Sequence, residues 1–67
     1  MTDSVRLGEI ITNSGLKKVF IAESLGLSYQ GYLNKESGKS EFNAPEIAKL
    51  KDLLRLSNKD VSDIFLS

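Results

Sequence analysis

A chain of 67 residues supports one small domain, and at that length folding buries only about 60% of the unfolded surface, so few apolar positions are spare. Without cysteine or histidine it has no disulfides, no thiolate ligands and none of the commonest general base or metal ligand. Nine basic and nine acidic residues cancel to a formal net charge of zero, so composition by itself proposes no nucleic-acid partner.

The opening "MTDSVRLGE" lacks the basic-then-apolar layout of a secretory leader. The longest apolar run, Val19-Phe20-Ile21-Ala22, is far short of the roughly 20 residues that cross a bilayer. The expectation is a soluble cytoplasmic protein with no membrane partner.

Apolar residues recur at i, i+3, i+4 spacing and never alternate over a useful length, which predicts an all-α fold of five short helices over residues 1–67. Leu7, Ile10 and Ile11 mark the first, with Asp3 or Ser4 as its cap and Gly15 as its stop. Ile21, Ala22 and Leu25 mark the second, from about Lys17 to Leu25, and Gly26 supplies a left-handed stop. Ser28 caps a third helix from about Tyr29 to Lys35, with Tyr32 turned inward.

"ESGKSEF" reads as a loop. "NAPE" then forms a capping box between Asn43 and Glu46, with Pro45 in the first turn, where its missing N–H costs nothing. Ile47, Leu50, Leu53 and Leu54 carry the fourth helix to about Arg55. "SNKD" repeats the device with Ser57 and Asp60, and Val61, Ile64 and Phe65 line the fifth.

The connection Gly26-Leu27-Ser28 is the most informative stretch: a glycine for positive φ, an apolar residue for the core, then a capping serine. Ala22, four residues earlier, lets the next helix pack closely. These are the parts of a helix-turn-helix, whose second helix enters the DNA major groove. The same turn also joins helices that bind nothing.

The composition of helix three bears on that choice. With Tyr32 inward, Tyr29, Gln30, Leu33 and Asn34 fall on the other side. Gln and Asn can bond adenine N6 and N7, and Leu33 and the Tyr29 ring can touch thymine methyls. A helix that had only to be stable would place Ala, Glu and Lys there. Gly31 fits either a close backbone approach to DNA or tolerance of a poor helix former. Between residues 17 and 39, four lysines (Lys17, Lys18, Lys35, Lys39) face two glutamates, a local positive excess that is also compatible with a mixed solvated surface.

"LKKVFIAESLGLSYQGYLNKESGK" resembles the helix-turn-helix of the bacteriophage Cro and repressor family, and the tail from Gly38 to Leu66 is similar to small phage-encoded regulators of that family. The likeness spans about Leu7 to Leu66 and implies a lambda-repressor-like domain acting as a transcription regulator in a bacterial host, at the nucleoid. Carried over by position, Lys18 stands where the family touches a phosphate. Ser28, Tyr29 and Gln30 open the recognition helix, Gln30 as a base reader, with Leu33 and Asn34 one turn on. Lys39, Ser40 and Asn43 fall where the following loop meets backbone phosphates. Two departures stand out: Lys35 replaces a usually apolar residue, so a frayed or turned helix end is expected, and Ser37 replaces a common asparagine before Gly38.

An enzyme is the weakest reading, because nucleophile, base and oxyanion donors cannot be assembled from these residues. "SGKS" at 37–40 lacks the upstream glycine of a phosphate loop and follows a helix. No catalytic residue, metal ligand, cofactor or small-molecule ligand is expected. The rival is a protein-binding module of the same fold, an anti-repressor or co-regulator, favoured by outward Val19, Phe20 and Leu33. The expected partners are double-stranded operator DNA and a second copy of the chain. One short recognition helix on a neutral domain gains little affinity alone, and Phe65 with Leu66 offers an apolar end for pairing. That end alternatively covers its own core.

Overall fold

The computed structural model describes residues 1–66 and contains five α-helices: α1 (Ser4–Ser14), α2 (Lys18–Ser24), α3 (Tyr29–Glu36), α4 (Ala44–Leu54) and α5 (Asn58–Phe65). Among the described residues there is no strand, so the all-α expectation holds.

Four of the five helices start at a side-chain cap. Asp3 accepts from the Arg6 N–H, and Ser28 Oγ accepts from the Gly31 N–H at 3.0 Å. Asn43 with Glu46, and Ser57 with Asp60, form reciprocal capping boxes. Helix α2 has no such bond at Lys17 and only seven residues, so tertiary contacts must hold it. Its exit is sharp: Gly26 takes φ 72°, a left-handed turn that side-chained residues resist. Arg55 adopts φ 54° at the end of α4 and is the only non-glycine with positive φ among the described residues.

The residue before each cap turns inward. Thr2, Phe42 and Leu56 are buried, and Leu16 and Leu27 pack against the core. Four residues after each cap stand Leu7, Ile21, Tyr32, Ile47 and Val61, all in the core or against it. This is the placement of a hydrophobic staple, which fixes the angle at which the chain runs into a helix.

The core joins Leu7, Ile11, Ile21, Ala22, Tyr32, Leu50, Ile64 and Phe65 from the helices to Phe42 and Leu56 from the connections. Phe42 links the aromatics, with its ring centroid 6.1 Å from Tyr32 and 5.6 Å edge-on from Phe65. The loop that carries Phe42 is otherwise exposed and sends this one side chain into the core. Phe65 is 4% exposed, as its place in the inward stripe of α5 predicts, because α5 turns its last residue into that aromatic row. It is withdrawn from the surface proposed for pairing, whereas Leu66 is 70% exposed.

The ends of the chain are tied together. The Asp3 N–H donates to the Ile64 carbonyl at 2.7 Å, holding α1 against α5. Helix α3 packs on α2 and α1, while Tyr29 and Gln30 in its first turn stay exposed.

Leu50 is one of the fully enclosed core residues. Leu50→Ala is expected to lose about 2–5 kcal/mol, and half-buried Ile47→Ala clearly less. Gly8 lies inside α1 with open space where a Cβ would stand, so Gly8→Ala should gain about 0.5–1 kcal/mol. Urea unfolding of the three variants checks the order; a destabilised Gly8→Ala contradicts it.

Candidate nucleic-acid interface

Helix α3 is held from behind by a chain of polar contacts. Tyr32 is fully buried, and its hydroxyl donates to Glu36 Oε1 at 3.0 Å. The other oxygen of Glu36 accepts from Lys18 Nζ at 2.9 Å. Burial first, then the charge of Glu36 and the bond to it, push the Tyr32 phenol far above its ordinary range, so it stays a neutral donor. Glu36 is itself buried, and the two contacts satisfy its two oxygens.

A second tie fixes the same end of α3. Lys35 Nζ bonds both carboxylate oxygens of Glu46, at 2.6 and 2.9 Å, with only 19% of the lysine side chain exposed. The expected fraying is absent: α3 runs on through Glu36, because Lys35 spends its charge on α4 instead of leaving the surface. Glu46 also closes the capping box with the Asn43 N–H at 2.9 Å. Burial alone pushes the Glu46 carboxyl up. The Lys35 hydrogen bond, the Asn43 N–H and the Lys35 charge together outweigh burial and hold it below the ordinary glutamate value.

The outer side of α3 carries the expected base readers, with one change. Tyr29 is 49% exposed at the first helical position, and Gln30 is exposed beside it. Gln30 Nε2 donates to Asn34 Oδ1 at 3.1 Å, so the two amides stand as a pair one turn apart. Leu33 departs from the expected outward face: it is half-buried and packs against the core, since Tyr32 alone leaves α3 short of apolar contact. Gly31 acquires a local reason, because a Cβ there would stand 3.0 Å from the Ser28 hydroxyl that caps the helix.

The residues expected at the DNA backbone divide into free and engaged groups. Lys39 and Ser40 have exposed side chains, and their N–H groups both donate to the Asn34 carbonyl, at 2.8 and 3.1 Å. That carbonyl, with Gly38 at φ 87°, closes the loop after α3 despite serine at position 37. Ser28 and Asn43 spend their side-chain oxygens on helix caps. Lys18 is engaged with Glu36, which partly cancels the charge assigned to a phosphate. Lys17 and Lys39 are exposed and in no ion pair among the described residues.

Sequence reasoning treated Val19 only as an outward apolar residue. It shares a shallow depression of about 400 Å³ with Lys17, Lys18 and Tyr29, where the starts of α2 and α3 meet. The signal was two adjacent lysines before an exposed β-branched residue, which becomes a site only once α3 brings Tyr29 alongside. Glu36 was read only as local charge and Glu46 only as a capping-box partner, because charged residues usually remain in solvent; their bonds to Tyr32, Lys18 and Lys35 come from the packing.

Among the described residues no cluster of three acidic, His or Cys side chains could hold a metal ion, and no helix is long and apolar enough to cross a membrane. No protein-family model matches the chain, and no curated protein or solved structure matches it.

The lowered Glu46 carboxyl has a pH signature. Its contribution to stability is fully present above the ordinary glutamate pKa of about 4.3 and is lost as pH falls through the lower folded-state value. Glu46→Gln keeps an acceptor for the cap but loses the ion pair, so it should cost about 1–2 kcal/mol at pH 7. Urea midpoints of the two proteins should converge toward pH 3; a gap unchanged at acid pH contradicts the assignment.

Proposed function

We propose that the chain is a sequence-specific double-stranded DNA-binding regulator of the phage Cro and repressor kind. In this reading it is a lambda-repressor-like domain in which α2 and α3 form the helix-turn-helix and α3 enters the major groove. The observation that carries the reading is the construction of α3. Its inner side is locked to α2 and α4 by Tyr32, Glu36 and Lys35, while its outer side presents Tyr29 and the Gln30–Asn34 amide pair. Polar readers on a rigid support are what base recognition requires, because a mobile amide discriminates poorly between base edges. Lys17 and Lys39, exposed and in no ion pair among the described residues, suit phosphates beside that surface.

Pairing of two copies belongs to the same reading. The longest dimension of the Cα trace is 27 Å, whereas half-sites one helical turn apart are separated by roughly 34 Å, so one domain cannot occupy both. With Phe65 in the core, exposed Leu66 remains as the apolar contact at that end, and Met1 lies beside it through its amino group, 3.5 Å from the Phe65 carbonyl.

A second reading keeps the fold and makes it a protein-binding anti-repressor or co-regulator. Val19 and Phe20, 49% and 47% exposed on α2, favour it.

Selection from a pool of random duplexes, followed by mobility shift at two salt concentrations, separates the two readings. If DNA is the partner, one sequence is enriched. Gln30→Ala should then cost about 1–3 kcal/mol on that sequence and relax one base position. Lys39→Ala should weaken all sequences alike and reduce the salt slope by about one unit. Equal losses on selected and random DNA for Gln30→Ala sink the base-reading role, and failure to enrich any duplex sinks the DNA reading itself.

A further inference from the structure

We infer that the depression bounded by Lys17, Lys18, Val19 and Tyr29 is a subsite for a thymine and its adjoining phosphate, with Val19 on α2 contacting the thymine C5-methyl. This inference rests on the DNA-binding reading above and adds a reader that lies outside α3.

The chemistry of the walls selects the occupant. Val19 and Tyr29, each 49% exposed, give the floor an apolar character that no other part of the chain covers. Both flanking lysines belong to the lead-in of α2, and they are not equivalent. Lys18 holds Glu36 at 2.9 Å and is fixed in place, whereas Lys17 is exposed and in no ion pair among the described residues. The site therefore combines an apolar surface, an aromatic face and one uncommitted cation. A nucleotide with a methyl on its groove edge and an anionic phosphate beside it complements all three, and among the DNA bases only thymine carries that methyl. At about 400 Å³ the depression is at the small end of pockets that take whole small molecules, about 300–1,000 Å³, so it admits a base edge with its sugar–phosphate. A purely apolar protein side chain would leave Lys17 without a counter-charge.

The experiment uses the full chain and the duplex recovered by the selection described above, with each thymine replaced singly by deoxyuridine. That exchange removes one methyl and leaves base pairing intact. At one thymine per half-site, binding should weaken about fourfold, the effect of withdrawing one buried methyl. In Val19→Ala the same exchange should have less than about a twofold effect. Val19 is half exposed, so the variant should fold, and its thermal melt verifies this. Lys17→Ala should lower the salt slope by about one unit while leaving the thymine preference intact. The assignment is overturned if no deoxyuridine exchange weakens binding, or if the penalty is the same in Val19→Ala. Val19 would then be free to meet a protein side chain, and the DNA reading would stand without it. If no duplex is enriched at all, the DNA reading fails and this subsite with it.

Discussion

Tyr32 brings a hydroxyl into the middle of a core too small to tolerate an unpaired polar group, and much of the structure follows from satisfying it. An unmet donor there would cost about 1–3 kcal/mol, a large part of what a domain of this size has in hand. Glu36, one turn later, accepts its hydrogen bond, but its carboxylate then needs a compensating charge of its own. Lys18 supplies that charge from the first turn of α2. Each group thus requires the next, and the series ties the end of α3 to the beginning of an uncapped, two-turn helix. The Tyr32 ring meets Phe42 and, through it, Phe65, so the same residue also joins α3 to the far side of the core.

This arrangement changes what the neutral composition means. Of the four lysines between residues 17 and 39, Lys18 and Lys35 serve inside the fold, each against a buried glutamate. Their charges hold helices together and leave Lys17 and Lys39 to face whatever approaches. A formal charge of zero therefore describes the sum and says little about the field near α3. Field strength at a surface depends on which charges are already engaged, and here Lys18 and Lys35 are engaged with Glu36 and Glu46.

Helix boundaries were legible because their signals are local. Asp3, Ser28, Asn43 and Ser57 act as caps where the sequence put them, and Gly15 and Gly26 take the left-handed conformation at the expected stops. The inward faces of α1, α2 and α5 were readable from periodicity for the same reason. What escaped depended on distant partners. Phe42 sits in a polar loop where periodicity says nothing, although its place just before a capping residue was a usable sign. Lys35 looked like a misplaced surface residue until Glu46, eleven positions away, came within 2.6 Å. Leu33, and in part Phe65, were given to the surface because a helical wheel shows which side a residue occupies and cannot show how far neighbouring helices wrap around it. Among the candidate site residues, Tyr29 and Gln30 were singled out from chemistry and Lys39 from the family resemblance, whereas the grouping of Val19 with Tyr29 required the packing of α2 on α3.

The inward residues that precede each cap lead to a wider point about how this chain can vary. Thr2, Leu16, Leu27, Phe42 and Leu56, with the caps that follow them, set where every helix begins and at what angle. None of these lead-in residues belongs to the exposed side of α3, and Tyr29 and Gln30 set no boundary. Helix boundaries and the exposed side chains at the start of α3 are thus set at different positions, whereas Ser28, Asn43 and Lys18 are committed to the fold. Substitutions on the outer face can accumulate without eroding the scaffold, because surface changes away from such features usually shift stability by less than about 0.5 kcal/mol. The side chains of Tyr29 and Gln30 can therefore change in chemistry while the same five helices persist.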